Sequence, residues 1–374
     1  MQEKNNIILT VSIQSKDRDD KGRKKAIANY SPQWPQKTMP VFSANYFSFF
    51  VTVILFVALY GIGIAMYNGF MKPQVFFNLF VDNAALLIVT VGITFCLLIG
   101  GIDLSVGAVL ALVCMVLAWL LTNTGIPVFL AVLIVLIMGT VFGAVQGYII
   151  TKFDLQPFII TLAGMFFCRG LTAVISQETI TITNPTFVAL ADTRIPVGSG
   201  FISVGVVIAL LTILVAAIVL GFTKFGRTIY AIGGNESSAA LMGLPVFRTK
   251  VCVYTISGFC SSLGGIAYAL MMLTGYNLHG LGMEMDAIAS SVIGGTLLTG
   301  GVGFIPGALF GVLIQGVILT FINFQGTLSA WWTKIVIGGL LCVFIIMQAF
   351  ITEQKSKLTA KSSMDEANSG KSDS

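Results

Sequence analysis

Long runs of apolar residues, separated by short polar stretches, dominate the hydropathy pattern of the chain. A helix needs about 20 such residues to cross the hydrocarbon core of a bilayer. The pattern predicts ten membrane segments, at approximately residues 45–67, 83–99, 104–121, 128–150, 158–175, 201–222, 250–273, 286–298, 304–321 and 331–350. The second and eighth segments are short and interrupted by glycine, so we expect that neither crosses the full bilayer.

A pattern near residue 100 recurs near residue 300. The stretches LLIGGIDLSVGAVLALV (97–113) and LLTGGVGFIPGALFGVLI (297–314) share a glycine pair and, a few positions later, a Gly–Ala pair. This favours two pseudo-repeated halves, with chance spacing of glycines as the alternative. Broken segments in corresponding places of two halves are typical of the substrate pathway of transporters.

Asp103 follows the first glycine pair, and Gly303 takes its place in the second copy. A carboxylate inside a membrane segment is a functional candidate by default. We favour helix capping, because the carboxylate can accept hydrogen bonds from backbone N–H groups at the start of the third segment. Direct contact with a cargo is the alternative.

The composition is that of a multi-pass membrane protein. Hydrophobic residues make up 56% of the chain and charged residues only 10%, against about 25% charged residues in average proteins. The six cysteines lie in apolar segments and form no CxxC pair, so we interpret them as packing residues. No ATP-binding loop, Ser–His–Asp set or metal-ligand cluster stands out, which predicts a non-catalytic chain without a metal or another cofactor.

The Lys and Arg residues are concentrated on one predicted side of the membrane. Of the 21 Lys and Arg residues, 17 fall on segments that an inside N-terminus places in the cytoplasm. This bias predicts cytoplasmic N- and C-termini, and the scattered charges predict no nucleic-acid partner. The chain then divides into a basic, disordered cytoplasmic tail (1–43), a membrane domain (44–351) with a basic cytoplasmic loop (223–249), and a second disordered cytoplasmic tail (352–374).

The cytoplasmic loop contains a candidate helix. Its Ala-Ala-Leu-Met run is helix-forming, Asn235 or Ser237 can cap the helix, and Gly243 can end it. A mere solvated linker would leave the apolar Leu241 and Met242 exposed. The pattern therefore favours contact with a partner protein.

Four ordered motifs carry a family resemblance: GGIDLSVGAVLAL, FIITLAGMFFCRG, YAIGGNESSAALMGL and AIASSVIGGTLLTGGVGFIPGALFGVLIQGVI. Together they resemble the permease subunits of bacterial carbohydrate ABC importers of the ribose type, over about residues 45–350. The stretches TLSAWWTKIVIG and SQETITITNP are most similar to the galactofuranose permeases of that group. The resemblance implies an all-α, non-catalytic subunit of the bacterial inner membrane that imports a monosaccharide.

The resemblance also implies partners. These are a second permease subunit, identical or different, a cytosolic ABC ATPase subunit, a periplasmic sugar-binding protein and the surrounding membrane lipid. The loop would dock into the ATPase through a degenerate form of the importers' EAA motif, which falls on Gly234, Asn235, Glu236, Ala239, Ala240 and Gly243. The usual glycine spacing is not kept, so the motif does not identify which side chain enters the ATPase. The basic N-terminal tail is not part of the family pattern.

A sugar path needs hydrogen-bonding groups together with apolar stacking faces. The candidate residues for such a path are Asn83, Thr94, Asp103, Ser105, Thr161 and Phe166. The main alternative function is an ion-coupled secondary sugar transporter, which needs essential intramembrane carboxylates. A further alternative is a membrane-embedded enzyme acting on lipid-linked sugar, which needs a catalytic acid–base pair.

Overall fold

The computed structural model describes residues 42–326 and 331–347, and helices make up most of them. The helices are α1 (Phe42–Met66), α2 (Pro73–Asp82), α3 (Ala84–Leu98), α4 (Val106–Asn123), α5 (Val128–Lys152), α6 (Pro157–Ile175), α7 (Pro185–Ala191), α8 (Val204–Phe222), α9 (Lys224–Gly234), α10 (Glu236–Leu241), α11 (Val246–Met272), α12 (Met283–Ile293), α13 (Ile305–Gln325) and α14 (Trp331–Met347). A 3-10 turn, Asn68–Met71, precedes α2. The predicted tails lie outside the described residues, apart from the first two residues of α1.

The helix lengths are those of a polytopic membrane protein. Seven described helices are long and apolar enough to cross a membrane: α1, α4, α5, α6, α8, α11 and α13. Helices α2 and α3 form a further candidate span that is bent by 53° between them. The predicted second segment is thus α3, of 15 residues, and the eighth is α12, of 11 residues. Both are short, as expected, while the total of ten segments stays a prediction.

Helix α3 lies at the centre of the fold. It is apolar on every side, and all its residues are buried, as expected for a helix that other helices surround. Helices α5 and α11 approach closely through small residues: a Cβ on Gly143 or on Gly258 would overlap backbone of the other helix. A second apolar cluster joins α1, α13 and α14.

The segment after α6 is more ordered than predicted, because the sequence pattern indicated only a polar loop there. Asn184 caps α7 by accepting from the N–H groups of Thr186 and Phe187. Strands β2 (Arg194–Val197) and β3 (Gly200–Ser203) form a hairpin. Strand β1 (Ile180–Thr181) pairs antiparallel with β4 (Thr274–Gly275), a strand that follows α11 directly. Local capping and distant strand pairing together order this segment.

The connecting segments contact one another in two groups. In the first group, β1 pairs with β4, and Phe201 N–H donates to Gln74 Oε1 at 2.9 Å. In the second group, Gly301 N–H donates to Leu98 O at 2.9 Å, and the Tyr230 hydroxyl donates to Gly303 O at 2.8 Å. The positive-inside pattern of the sequence places these two groups of segments on opposite sides of the membrane. Which group faces the cytoplasm stays a prediction.

Candidate substrate path and coupling site

Both copies of the repeated glycine pattern break a helix, and the two breaks meet. The first break separates α3 from α4, and the second separates α12 from α13. Gly100 has φ +76° and Gly300 has φ +88°, in the left-handed region that favours glycine. The bond from Gly301 N–H to Leu98 O joins the second break to the first. The predicted correspondence of the two breaks is therefore a spatial contact as well.

Asp103 lies in the first break and is only 1% exposed. Its Oδ1 atom accepts from the Ser105 N–H at 3.0 Å and from the Ser105 hydroxyl at 2.6 Å. Its Oδ2 atom accepts from the Ser257 hydroxyl of α11 at 2.6 Å. A buried carboxylate needs such donors, because burial without partners is very costly. The carboxylate therefore ties the start of α4 to α11.

The expected capping role of Asp103 is only partly right. The residue that caps α4 is Ser105, and its side chain makes no capping hydrogen bond. Asp103 accepts one backbone N–H, that of Ser105 itself, in a local turn typical of aspartate. Its other two partners are serine hydroxyls. The sequence pattern gave no signal for Ser257, because that serine lies 154 residues away.

Two more polar residues surround this network. Ser105 Oγ lies 3.1 Å from Gln146 Oε1 of α5. Thr161 of α6 is fully buried and donates to the carbonyl of Ile102 in the break at 3.1 Å. Four helices thus meet at the first break: α4, α5, α6 and α11. Sequence reasoning missed Gln146, whose long polar side chain inside an apolar helix was the available signal.

The other three candidate path residues occupy different places. Thr94 shares a hydrogen bond of 2.9 Å with Ser291 of α12 and so ties α3 to the second half. Asn83 lies at the bend between α2 and α3, and its side-chain amide donates to Leu79 O. Phe166 lies on α6 with 65% of its surface exposed. Among the described residues, no hydrogen bond connects these three residues to Asp103.

The second break has no room for an acid. A Cβ on Gly303 would lie 2.7 Å from both Thr296 Cγ2 and Thr296 Oγ1, and 3.0 Å from Leu98 Cδ2. Its carbonyl accepts from the Tyr230 hydroxyl of α9. The difference between Asp103 and Gly303 follows from this packing.

Arg169 of α6 holds the loop between β4 and α12, and Gly280 of this loop lies against Gly107 near the start of α4. Its guanidinium donates to Asn277 O at 2.9 Å and to His279 O at 2.7 Å. Burial lowers the pKa of His279, and the charge of Arg169 lowers it as well. Glu284, at the start of α12, is 7% exposed, and its Oε2 has no hydrogen-bond partner among the described residues.

The predicted cytoplasmic helix exists as α10. The Asn235 side chain caps it by accepting from the Ser238 N–H at 2.7 Å, as predicted. Glu236 pairs with Lys250 at 2.8 Å, which holds α10 to α11. Leu241 is 90% exposed and Met242 is 67% exposed. The end of α10 and the residue after it therefore expose two apolar side chains.

The remaining residues of the predicted docking motif differ in how far they are exposed to solvent. Gly234 and Ala240 are exposed, whereas Ala239 is fully buried. Gly243 follows the helix with φ +76°, a conformation that suits glycine at a helix end. Ala239 therefore packs α10 against the fold, while the exposed residues are free for a contact.

Gly233, near the end of α9, contacts both helix breaks. A Cβ on Gly233 would overlap the Leu98 carbonyl oxygen of the first break and the Gly301 nitrogen of the second. The exposed helix α10 begins three residues further along the chain, at Glu236. A movement of α10 therefore has a short path of direct contacts to both breaks. The sequence pattern did not reveal this contact.

These features define a multi-pass membrane protein with the broken, paired helices that are typical of transporters. The chain belongs to the family described as "Branched-chain amino acid transport system / permease component", whose model matches residues 75–345. Members of this family are permease components of ABC transporters. No solved structure matches the chain.

Curated relatives match most of the chain. It is 46% identical to the inner membrane ABC transporter permease protein YjfF of Escherichia coli, over 81% of this chain and 92% of the relative. It is 40% identical to the fructose import permease protein FruG of Bifidobacterium longum, over 79% and 88% of the two chains. It is 34% identical to the ribose import permease protein RbsC of Haemophilus influenzae, over 82% and 94%.

Proposed function

We propose that this chain is the transmembrane subunit of a bacterial ABC importer and forms the pathway for ATP-driven uptake of a monosaccharide. Relatives whose names specify fructose, ribose and D-allose support a monosaccharide cargo. We propose a galactofuranose- or ribose-like sugar, in line with the family motifs of the sequence. The chain is non-catalytic in this proposal, and a separate subunit hydrolyses ATP.

The proposed importer lies in the inner membrane, like the relative that is named for it. It contains a second permease subunit, identical to this chain or different, a cytosolic ABC ATPase subunit and a periplasmic sugar-binding protein. The exposed Leu241, the last residue of α10, and Met242 directly after it support a contact with the ATPase. The motif residues Gly234, Asn235, Glu236, Ala239, Ala240 and Gly243 form or support this docking segment.

Charge and contacts together support one orientation of the chain in the membrane. The segment of α9 and α10 carries Lys224 and Arg227, and it contacts the two helix breaks. The β1–β4 pairing joins loops with few positive charges. The positive-inside rule therefore favours a cytoplasmic position for α9, α10 and both breaks.

Transport in this proposal is a rocking movement that starts at the ATPase. ATP binding closes the ATPase subunits, and α10 moves with them. Gly233 transmits this movement to both breaks, where the polar groups of Asp103, Ser105 and Thr161 keep the adjoining helices together. The sugar path uses these groups with Asn83, Thr94 and Phe166, since sugars need both hydrogen bonds and apolar faces.

The match to relatives named as sugar import permeases carries this proposal, and the contact of Gly233 with both breaks supports its coupling step. The test is reconstitution of the chain in liposomes, with and without its ATPase and binding protein, and measurement of labelled ribose and galactofuranose uptake. We expect uptake only with the complete set and ATP. Uptake driven by an ion gradient in liposomes with the chain alone would contradict the proposal and favour a secondary transporter.

A further inference from the structure

Two cavities lie along α11, one between it and α8 and the other between it and α9. The first, of about 500 Å³, is an apolar groove. It is lined by residues that include Leu211, Val215 and Val219 of α8 and Ile256, Cys260 and Leu263 of α11. The second, of about 680 Å³, is a basic cavity beside the end of α8, and its lining includes Lys224, Arg227 and Thr249.

The two cavities follow one face of α11. Thr249, Ile256, Cys260 and Leu263 are spaced by seven, four and three residues, which places them on one side of a helix. From Leu263 to Thr249 the helix rises about 21 Å. One leaflet with its headgroups is about 20–22 Å thick. The groove and the basic cavity together therefore have the length of one lipid leaflet.

The basic cavity carries unpaired positive charge. Lys224 and Arg227 are both exposed, and neither forms an ion pair within the part of the chain that the structure describes. Lys250, by contrast, pairs with Glu236 close by. Residues three apart on a helix are neighbours on its surface, so the two cations of α9 face the same ligand. Phe222, beside them, is 81% exposed.

We propose that α8, α9 and α11 bind an anionic phospholipid of the cytoplasmic leaflet, with an acyl chain in the groove and the phosphate at Lys224 and Arg227. The ammonium group of a zwitterionic lipid offsets its phosphate, so such a lipid neutralises the two cations less than an anionic lipid does. Free phosphate would leave the apolar groove empty. An anionic lipid matches both cavities. It also stabilises α9, the helix that carries Gly233, so that lipid composition affects the coupling contact.

The test is native mass spectrometry of the full-length chain in a mild detergent, with equimolar phosphatidylglycerol and phosphatidylcholine as probes. We expect selective retention of phosphatidylglycerol. The double variant Lys224→Gln/Arg227→Gln should weaken this binding roughly twentyfold, because each cation near an anionic lipid contributes about a factor of five. The control is Lys152→Gln/Arg248→Gln, which removes the same charge from positions outside the cavity and should leave binding unchanged.

A second pair of variants tests the groove. Val215→Trp fills the groove. The control, Ile218→Trp, adds the same ring at a position of α8 outside the groove lining. The two native side chains are similarly exposed, Val215 at 58% and Ile218 at 47%. We expect only Val215→Trp to release phosphatidylglycerol. Size-exclusion chromatography checks that both variants fold.

Three results would overturn the proposal. Equal retention of the two lipids would remove the selectivity for an anionic headgroup. Displacement of the lipid by inorganic phosphate, without any effect of Val215→Trp, would indicate a simple anion site. Unchanged lipid binding together with lost ATPase association in Lys224→Gln/Arg227→Gln would assign the basic cavity to the ATPase.

Discussion

Gly233 lies directly against Gly301, and no side chain fits between α9 and the second helix break. The same glycine touches the carbonyl of Leu98, the last residue of α3, where the first break begins. Helix α9 is followed at once by α10, which exposes Leu241 at its far end. The cytoplasmic loop of the proposed importer is therefore in direct contact with the breaks of both halves.

The Asp103 network should contribute to stability. Asp103→Ala removes the acceptor of the Ser105 and Ser257 hydroxyls, which are both buried. An unsatisfied buried polar group costs about 1–3 kcal/mol, so we expect a lower unfolding temperature in detergent. Ser257→Ala, which leaves two donors on the carboxylate, should lower it less. Equal stability of Asp103→Ala and the native chain would contradict this account of the network.

Asp103→Asn distinguishes a structural role from a role in transport. Asparagine keeps an acceptor for the Ser105 N–H and loses the charge, so we expect the variant to fold, assemble and take up sugar. Uptake in proteoliposomes and thermal unfolding are measured on the same preparation. A variant that assembles normally but does not transport would show that the acid acts on the cargo or on gating.

The packing at Gly303 should be sensitive to a single methyl group. Gly303→Ala brings a Cβ to 2.7 Å from Thr296 and 3.0 Å from Leu98. Overpacking of this kind costs about 1–3 kcal/mol. The matched control is Gly170→Ala on α6, where a Cβ meets nothing within 4 Å. Thermal unfolding should distinguish the two variants, and equal unfolding temperatures would argue against tight packing of the second break.

Leu241 should matter for assembly and not for folding, because it is 90% exposed. We expect Leu241→Ser to weaken copurification of the ATPase roughly tenfold or more, because burial of a leucine side chain contributes about 1.5–3 kcal/mol. Phe153→Ser, on the other predicted cytoplasmic loop, removes an apolar side chain that is 63% exposed and serves as the control. Normal ATPase binding by Leu241→Ser would remove α10 as the contact.

Local signals account for what could be predicted from the sequence. Apolar runs predicted the long helices, glycine pairs predicted both breaks, and the capping residue Asn235 predicted α10. These features depend on neighbours within a few residues. The helix α7 and the hairpin β2–β3 were missed, because their segment is polar and carries no membrane signal.

Contacts between distant parts of the chain could not be predicted. Ser257 meets Asp103 across 154 residues, and α11 shows no pattern that distinguishes this serine from Ser261 or Ser262. Gly233 is one of 40 glycines, and nothing near it in the sequence indicates that it touches Leu98. Three-dimensional packing decides both contacts.

The most direct test of the account is sugar uptake by Gly233→Ala in proteoliposomes that contain the complete importer. The added methyl group cannot fit against Leu98 and Gly301, so we expect uptake to fall roughly tenfold or more while the ATPase still copurifies. Gly221→Ala, where a Cβ meets nothing within 4 Å, should transport normally. Native uptake rates in Gly233→Ala, at native stability, would contradict the claim that this contact couples ATP hydrolysis to transport.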